Sequence, residues 1–139
     1  MTIHQISVFL ENRSGQLAEI TKLLADNNVD IRAISIAETA DYGLARMIVD
    51  DAQKASSVLL AAGVILSMTP VCAVEVPDQA GGLASLLTVL ANAGVDVEYM
   101  YSLFTHREGR AYMVVRVSDE AALIANNVRL VGMEELGLK

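Results

Sequence analysis

The chain has 139 residues, of which 53 % are apolar and 19 % charged, and its formal net charge is −7. That leaves room for one ordinary domain or two very small ones and excludes a disordered chain. Phosphate backbones are held by clustered Lys and Arg, whereas here Arg13, Lys22, Arg32, Arg46, Lys54, Arg107 and Arg110 are scattered along an acidic chain, so no nucleic acid is expected.

No apolar run reaches the ~18 residues of a membrane span, so no membrane is expected. The N-terminal Met1-Thr2-Ile3-His4-Gln5 lacks a basic stretch, so no secretory signal is expected either. The single cysteine, Cys72, excludes an internal disulfide and fits a reducing cytoplasm.

In chain order, Ile3 to Leu10 alternate as a half-buried strand. A polar turn, Glu11-Asn12-Arg13-Ser14-Gly15-Gln16-Leu17, leads into a helix with Leu17, Ile20 and Leu24 on one face. Glu19, Lys22 and Asp26 lie on the other side, and Asn27-Asn28 ends the helix. A strand follows from Ile31 to Glu38, then the turn signal Asp41-Tyr42-Gly43, then a strand from Leu44 to Val49. Asp50-Asp51 caps a helix over 52–62, Gly63 stops it, and Val64 to Met68 form a short strand.

The same order then repeats. A strand from Val71 to Val76 precedes the turn Pro77-Asp78-Gln79-Ala80-Gly81-Gly82-Leu83. Leu83, Leu86, Leu87 and Leu90 mark a helix that Gly94 stops. Strands over 97–104 and 110–117 flank a turn at 106–109, Ser118-Asp119 caps a helix of about two turns, and Val128 to Val131 close the unit. The tail from Glu134 to Lys139 is expected to fray. Shifted by 66 residues, 12 of 41 positions from Phe9 to Val49 are identical without a gap, Gly15, Leu17, Leu24, Val29 and Asp30 among them. The chain is therefore a duplication, with repeats over 1–69 and 70–139 separated only by Thr69-Pro70.

Catalytic constellations are not apparent. His4 and His106 read as surface histidines, the latter in an exposed turn, and Cys72 lies in the apolar run Val71-Cys72-Ala73-Val74 as a buried structural residue. There is no Cys-x-x-Cys and no His pair at helical spacing, so no metal and no cofactor are expected. Gly81-Gly82 lacks the surroundings of a phosphate loop.

The two turns carry more chemistry. The free N–H groups of a helix start can receive a carboxylate. Asp30 and Asp96, at equivalent places after the helices, can accept from an ammonium group. A free amino acid carries both groups. Equally, Asn and Asp in turns bond their own backbone, and an aspartate after a helix can simply tie down a loop. One further asymmetry concerns the second copy, where Tyr99, Tyr101 and Leu103 share a strand face that holds Ala33, Ser35 and Ala37 in the first. An exposed aromatic face of that kind would mark an interface, and the alternative reading is a ligand-free protein-interaction module that dimerises or docks an enzyme through it.

Asn12-Arg13-Ser14-Gly15-x-Leu17, a helix, then Asn28-Val29-Asp30-Ile31 resembles the start of an ACT domain. Asp78-Gln79-Ala80-Gly81-Gly82-Leu83 with Gly94-Val95-Asp96-Val97 resembles it again. The resemblance implies an α+β protein of two tandem ferredoxin-like βαββαβ units, each an antiparallel sheet with helices on one face. It implies a stand-alone, non-enzymatic regulatory module that binds a free amino acid at the interface between the repeats. The partner would be a second copy in a dimer or a regulated metabolic enzyme. By position, the turn residue and the start of the second strand hold the ligand. The candidate ligand-binding residues are therefore Asn12, Arg13, Ser14, Gly15, Gln16, Leu17, Asp30 and Ile31 in the first copy. In the second they are Asp78, Gln79, Ala80, Gly81, Gly82, Leu83, Asp96 and Val97. Ser14 and Ala80 replace the proline of the family pattern. Asp30 and Asp96 replace its asparagine, which argues against serine as the ligand and for contact with an amino group or a basic side chain.

Overall fold

The computed structural model of the chain describes residues 1–11, 13–38 and 41–139, without the side chain of His106. Two units are present, residues 4–70 with 137–139 and residues 71–136 with 1–3.

The first unit holds β1 (Ile3–Leu10), α1 (Gln16–Asp26), β2 (Ile31–Glu38), β3 (Gly43–Val49), α2 (Ala52–Ala61) and the start of β4 (Leu66–Pro77). Its strands run antiparallel in the order β2-β3-β1, and the Phe9 N–H donates to the Ile65 carbonyl at 3.0 Å where the chain enters β4 beside β1. The second unit holds the rest of β4, α3 (Gly82–Asn92), β5 (Val97–Arg107), β6 (Arg110–Val117), α4 (Ala121–Ala125) and β7 (Leu130–Val131). Its order is β7-β4-β6-β5, again antiparallel. Each unit is thus a βαββαβ arrangement with the same strand order.

Alternation along the strands builds one core per unit. In the first, Ile6 and Val8 of β1 meet Ile20 and Leu24 of α1, Met47 and Val49 of β3, and Leu59 of α2. In the second, Cys72 and Val74 meet Leu86, Leu90, Val115, Val117 and Leu123. Cys72 takes the place of Ile6 and is 2 % exposed, and burial pushes its thiol pKa up. It packs as a small apolar residue of the second unit's core.

All four helices end alike. Asn28 and Gly94 have φ of 58° and 71°, and Gly63 and Asn127 have φ of 80° and 59°. After α1, the Asn28 N–H donates to the Ala25 carbonyl and the Val29 N–H to that of Leu24; after α3, Gly94 and Val95 do the same to Ala91 and Leu90. The left-handed residue that such an ending needs is filled by Asn in one copy and Gly in the other.

Four expectations are corrected. Thr69-Pro70 is no linker, because β4 runs unbroken from Leu66 to Pro77. The residue before a proline is held in extended geometry, so the pair continues a strand. The second hairpin turns at Glu108-Gly109, and His106 pairs with Ala111 inside it. α4 is only five residues long and is capped by Glu120; Asp119 accepts from Ala121 N–H, and the Ser118 hydroxyl accepts from Asp96 N–H. The tail is anchored: Leu136 is buried, its N–H donates to Gly132, and Lys139 N–H donates to Asp50.

The aromatic face is also corrected. Tyr101 and Leu103 are only 8 % and 6 % exposed in the chain, so they offer no free surface. Met100 packs toward the helices, as the alternation requires. Among the described residues, no helix is long and apolar enough to cross a membrane.

Candidate functional site

In the first unit, β1 ends at Leu10 and α1 begins six residues later. Gly15 caps the helix at φ 85° with no side-chain hydrogen bond, and the first intrahelical acceptor is its carbonyl, which receives Glu19 N–H at 3.0 Å. The earliest N–H groups of α1 thus have no helical partner. The Gln16 side chain folds back and accepts from Glu11 N–H at 2.6 Å.

Arg13 leaves the turn and meets Glu19 on the first turn of α1 as a two-pronged pair, Nη1 to Oε1 at 3.1 Å and Nη2 to Oε2 at 2.9 Å. The Glu11 carboxylate lies 3.7 Å from Arg13 Nε. Hydrogen bonding and charge from Arg13 hold the Glu19 carboxyl below the usual carboxylate range, and Glu19 raises the Arg13 pKa in return. Both side chains are about half exposed, so the pair is a weak, salt-screened one that a ligand can open.

This pair borders a cleft of about 500 Å³ bounded by the end of β1, one side of α1, Asp41-Tyr42 and the segment Ala62 to Ile65. Arg13 and Gln16 are therefore at the cleft, while Leu17 packs against the core. Ser14 is exposed, and Asn12 lies outside the described residues.

The second turn is built differently at equivalent positions. Gly81 caps α3 at φ 87°, again without a side-chain hydrogen bond. Gln79 and Ser85 stand where the first copy has Arg13 and Glu19, so the charged pair is absent. Gln79 N–H donates to Pro77 and Gly82 N–H to Gln79, both at 3.0 Å, and Asp78 N–H donates to Gly109. A side chain at Gly82 would run into the Pro77 carbonyl, whereas the first copy carries Gln16 there. The groove is about 240 Å³, half the size of the first. Ala80 and Leu83 are exposed beside it. Gly82→Ala is expected to destabilise the chain by about 1–3 kcal/mol through this overlap, a loss that urea denaturation would detect.

Asp30 and Asp96 are not beside the turns of their own units. Each follows its helix, and α1 alone spans about 16 Å for its 11 residues. A free amino acid carries its carboxylate and ammonium on one carbon, so within a unit one molecule cannot reach both Gly15 and Asp30. Their surroundings are those of a closure. Asp30 N–H donates to the Asp50 carboxylate and Asp50 N–H to the Asp30 carbonyl, both at 2.9 Å. Asp96 and Ser118 repeat the exchange at 3.0 Å. The Asp30 side chain pairs with Arg32 at 3.2 Å. Ile31 and Val97 start the neighbouring strands and pair with Val49 and Val117.

Glu19, on the exposed helix side in the sequence, lines the cleft beside Arg13 and was not among the residues expected there. Its signal was an acidic residue in the first helical turn, six positions beyond a turn arginine. Among the described residues, no three His, Cys, Asp or Glu side chains gather as a metal site.

Two βαββαβ units in tandem, each with helices on one face of an antiparallel sheet, define an α+β ferredoxin-like pair. The chain belongs to the family of ACT domain pairs, whose model matches residues 1–137. It is similar to a Bacteroides thetaiotaomicron protein of known structure at 37 % identity, with a TM-score of 0.87 over 99 % of this chain and 96 % of that one. The ligand-free regulatory subunit of aspartate kinase from Thermus thermophilus shares the fold at 20 % identity, with a TM-score of 0.64 over 88 % and 89 % of the two chains. The corresponding subunit from Thermus flavus does so at 19 % identity, with a TM-score of 0.60 over 91 % and 92 %. A comparison with the curated proteins finds no match.

Proposed function

We propose that this ACT domain pair, built from repeats 1–69 and 70–139, is a non-enzymatic cytoplasmic regulator that binds a free amino acid and passes its occupancy to a partner. The observation that carries this is the Arg13–Glu19 pair at the mouth of the first unit's cleft. Guanidinium and carboxylate lie side by side, as do the carboxylate and ammonium of a zwitterion. The ligand carboxylate takes Arg13 and the open N–H groups of α1, and the ammonium takes Glu19. Regulatory subunits of aspartate kinase share the fold and support the regulatory reading. The partner is a second copy of the chain or a metabolic enzyme. Binding is assigned to the first unit, because the second lacks the pair and has the narrower groove.

A thermal-shift series against the twenty common amino acids tests this. Ligand at 100 times its dissociation constant adds ~2.7 kcal/mol and a clear rise in melting temperature. Flat curves across the series reject the proposal.

The pH dependence follows from Glu19. A carboxyl whose pKa is lowered stays ionised through the usual carboxylate range, near ~4.3, and loses its charge only beneath it. Affinity is expected to hold from neutral pH down through the usual carboxylate range and to fall only beneath it, as titration calorimetry at stepped pH would show.

A further inference from the structure

We infer that the ligand of the first cleft is an amino acid with an aliphatic or aromatic side chain, an inference that rests on the amino-acid reading above. Beside Arg13, Glu19 and the other polar groups Glu11, Gln16 and Asp41, the cleft has an apolar wall made by Leu10, Ile20, Leu23 and Val64. Apolar side chains also stand on its rim. The rings of Phe9 and Tyr42 lie 5.8 Å apart, and Ile65 is 70 % exposed beside them.

The second unit shows what this position looks like when it is closed. Phe9 N–H donates to the Ile65 carbonyl, and Glu75 N–H donates to the Arg129 carbonyl, so Phe9 corresponds to Glu75 and Ile65 to Arg129. Leu10 and Gly43 pair as Val76 and Ala111 do, which makes Tyr42 the counterpart of Arg110. In the second unit these three side chains form ion pairs, Arg129 to Glu75 at 3.0 Å and Arg110 to Glu75 at 3.4 Å. The same framework therefore accepts a charged triad, with Glu75 largely covered by its two arginines and their surroundings. In the first unit it carries Phe9, Tyr42 and Ile65, which expose apolar surface at the edge of a cleft that begins with a zwitterion-matched pair. A side chain attached to that zwitterion and covering the apolar rim satisfies both features.

The test uses the full chain and calorimetric titration with leucine, isoleucine, valine, methionine and phenylalanine against serine, aspartate and lysine. The apolar set is expected to bind about tenfold tighter or more. The double substitution Phe9→Glu with Ile65→Arg installs the pair that the fold already holds in its second unit. It is expected to leave the melting temperature in place and to cost the apolar ligands about 10- to 100-fold in affinity. A polar or charged amino acid as the tightest ligand overturns this inference and leaves the amino-acid reading standing. No binding by any of the twenty overturns both. Unchanged affinity in the double variant, with light scattering showing a dimer become a monomer, also overturns it, since a second copy then covers the rim.

Discussion

Arg13→Ala is expected to weaken amino-acid binding by about 10- to 100-fold and to leave the melting temperature of the unliganded chain nearly unchanged. A charge-assisted bidentate contact to a carboxylate is among the stronger hydrogen-bonded interactions, and the ligand loses it entirely. The fold loses little, because Arg13 pairs at the surface, with half of its side chain in water. Arg13→Lys separates charge from geometry. It keeps the positive charge but gives up the fork that Glu19 now occupies, so an intermediate loss is expected. Glu19→Gln removes the ammonium acceptor while keeping the shape of the side chain, and it should weaken binding without restoring any specificity. Asp30→Ala serves as the contrast, because Asp30 lies at the far end of α1 and pairs with Arg32. Calorimetry on the four variants decides the placement. A strong loss in Asp30→Ala with none in Arg13→Ala would move the ligand away from this cleft.

Most of the fold was legible because short periodic segments are bounded by residues with one structural use. Ile31 to Glu38 was delimited by the Asn at the helix end and the Asp-Tyr-Gly turn, and β2 has those limits. Asp51 was legible as a cap, and its carboxylate accepts from Lys54 N–H. The register between copies was not fully legible. A shift of 66 matches Ala45, Met47 and Val49 with Ala111, Met113 and Val115. The strand pairing instead makes Met47 the counterpart of Val115, a shift of 68, since Ile34 pairs with Met47 and Met100 with Val115. Shifts differing by two keep the same side chains on the same face, so alternation cannot tell them apart. The extra two residues lie in the longer β5–β6 hairpin. Both copies nevertheless share a bulge at the start of the second strand, at Arg32 and at Glu98.

The site was less legible than the fold. Equivalence between copies pointed to Asp30 and Asp96, because they are identical and charged. At both positions the backbone exchanges hydrogen bonds with the end of the neighbouring strand, Asp30 with Asp50 and Asp96 with Ser118. The proposed site rests instead on positions where the copies differ: Arg13 against Gln79, Glu19 against Ser85, Phe9 against Glu75 and Ile65 against Arg129. Sequence parity also assigned Tyr101 and Leu103 to one face correctly but could not say whether that face is covered.

Leu24→Ala links the core to the ligand and carries the second large effect. Leu24 is fully buried on α1, the helix whose adjacent side brings Gln16, Glu19, Ile20 and Leu23 to the cleft. Removing its side chain forfeits the burial and leaves a cavity, a loss of about 2–5 kcal/mol. The melting temperature is expected to fall by about 10 °C or more. A ligand that binds only the folded unit returns stability in proportion to the logarithm of its concentration, ~2.7 kcal/mol at 100 times the dissociation constant. The two quantities are of similar size, so a saturating apolar amino acid should restore most of the lost melting temperature. Because Leu24 touches the core and not the cleft, the rescue at that same ligand concentration should shrink to about 0.4–1.4 kcal/mol when Arg13→Ala is added, although that substitution alone barely alters the unliganded chain. An undiminished rescue in the double variant would mean that the ligand stabilises the unit from somewhere other than the Arg13–Glu19 cleft.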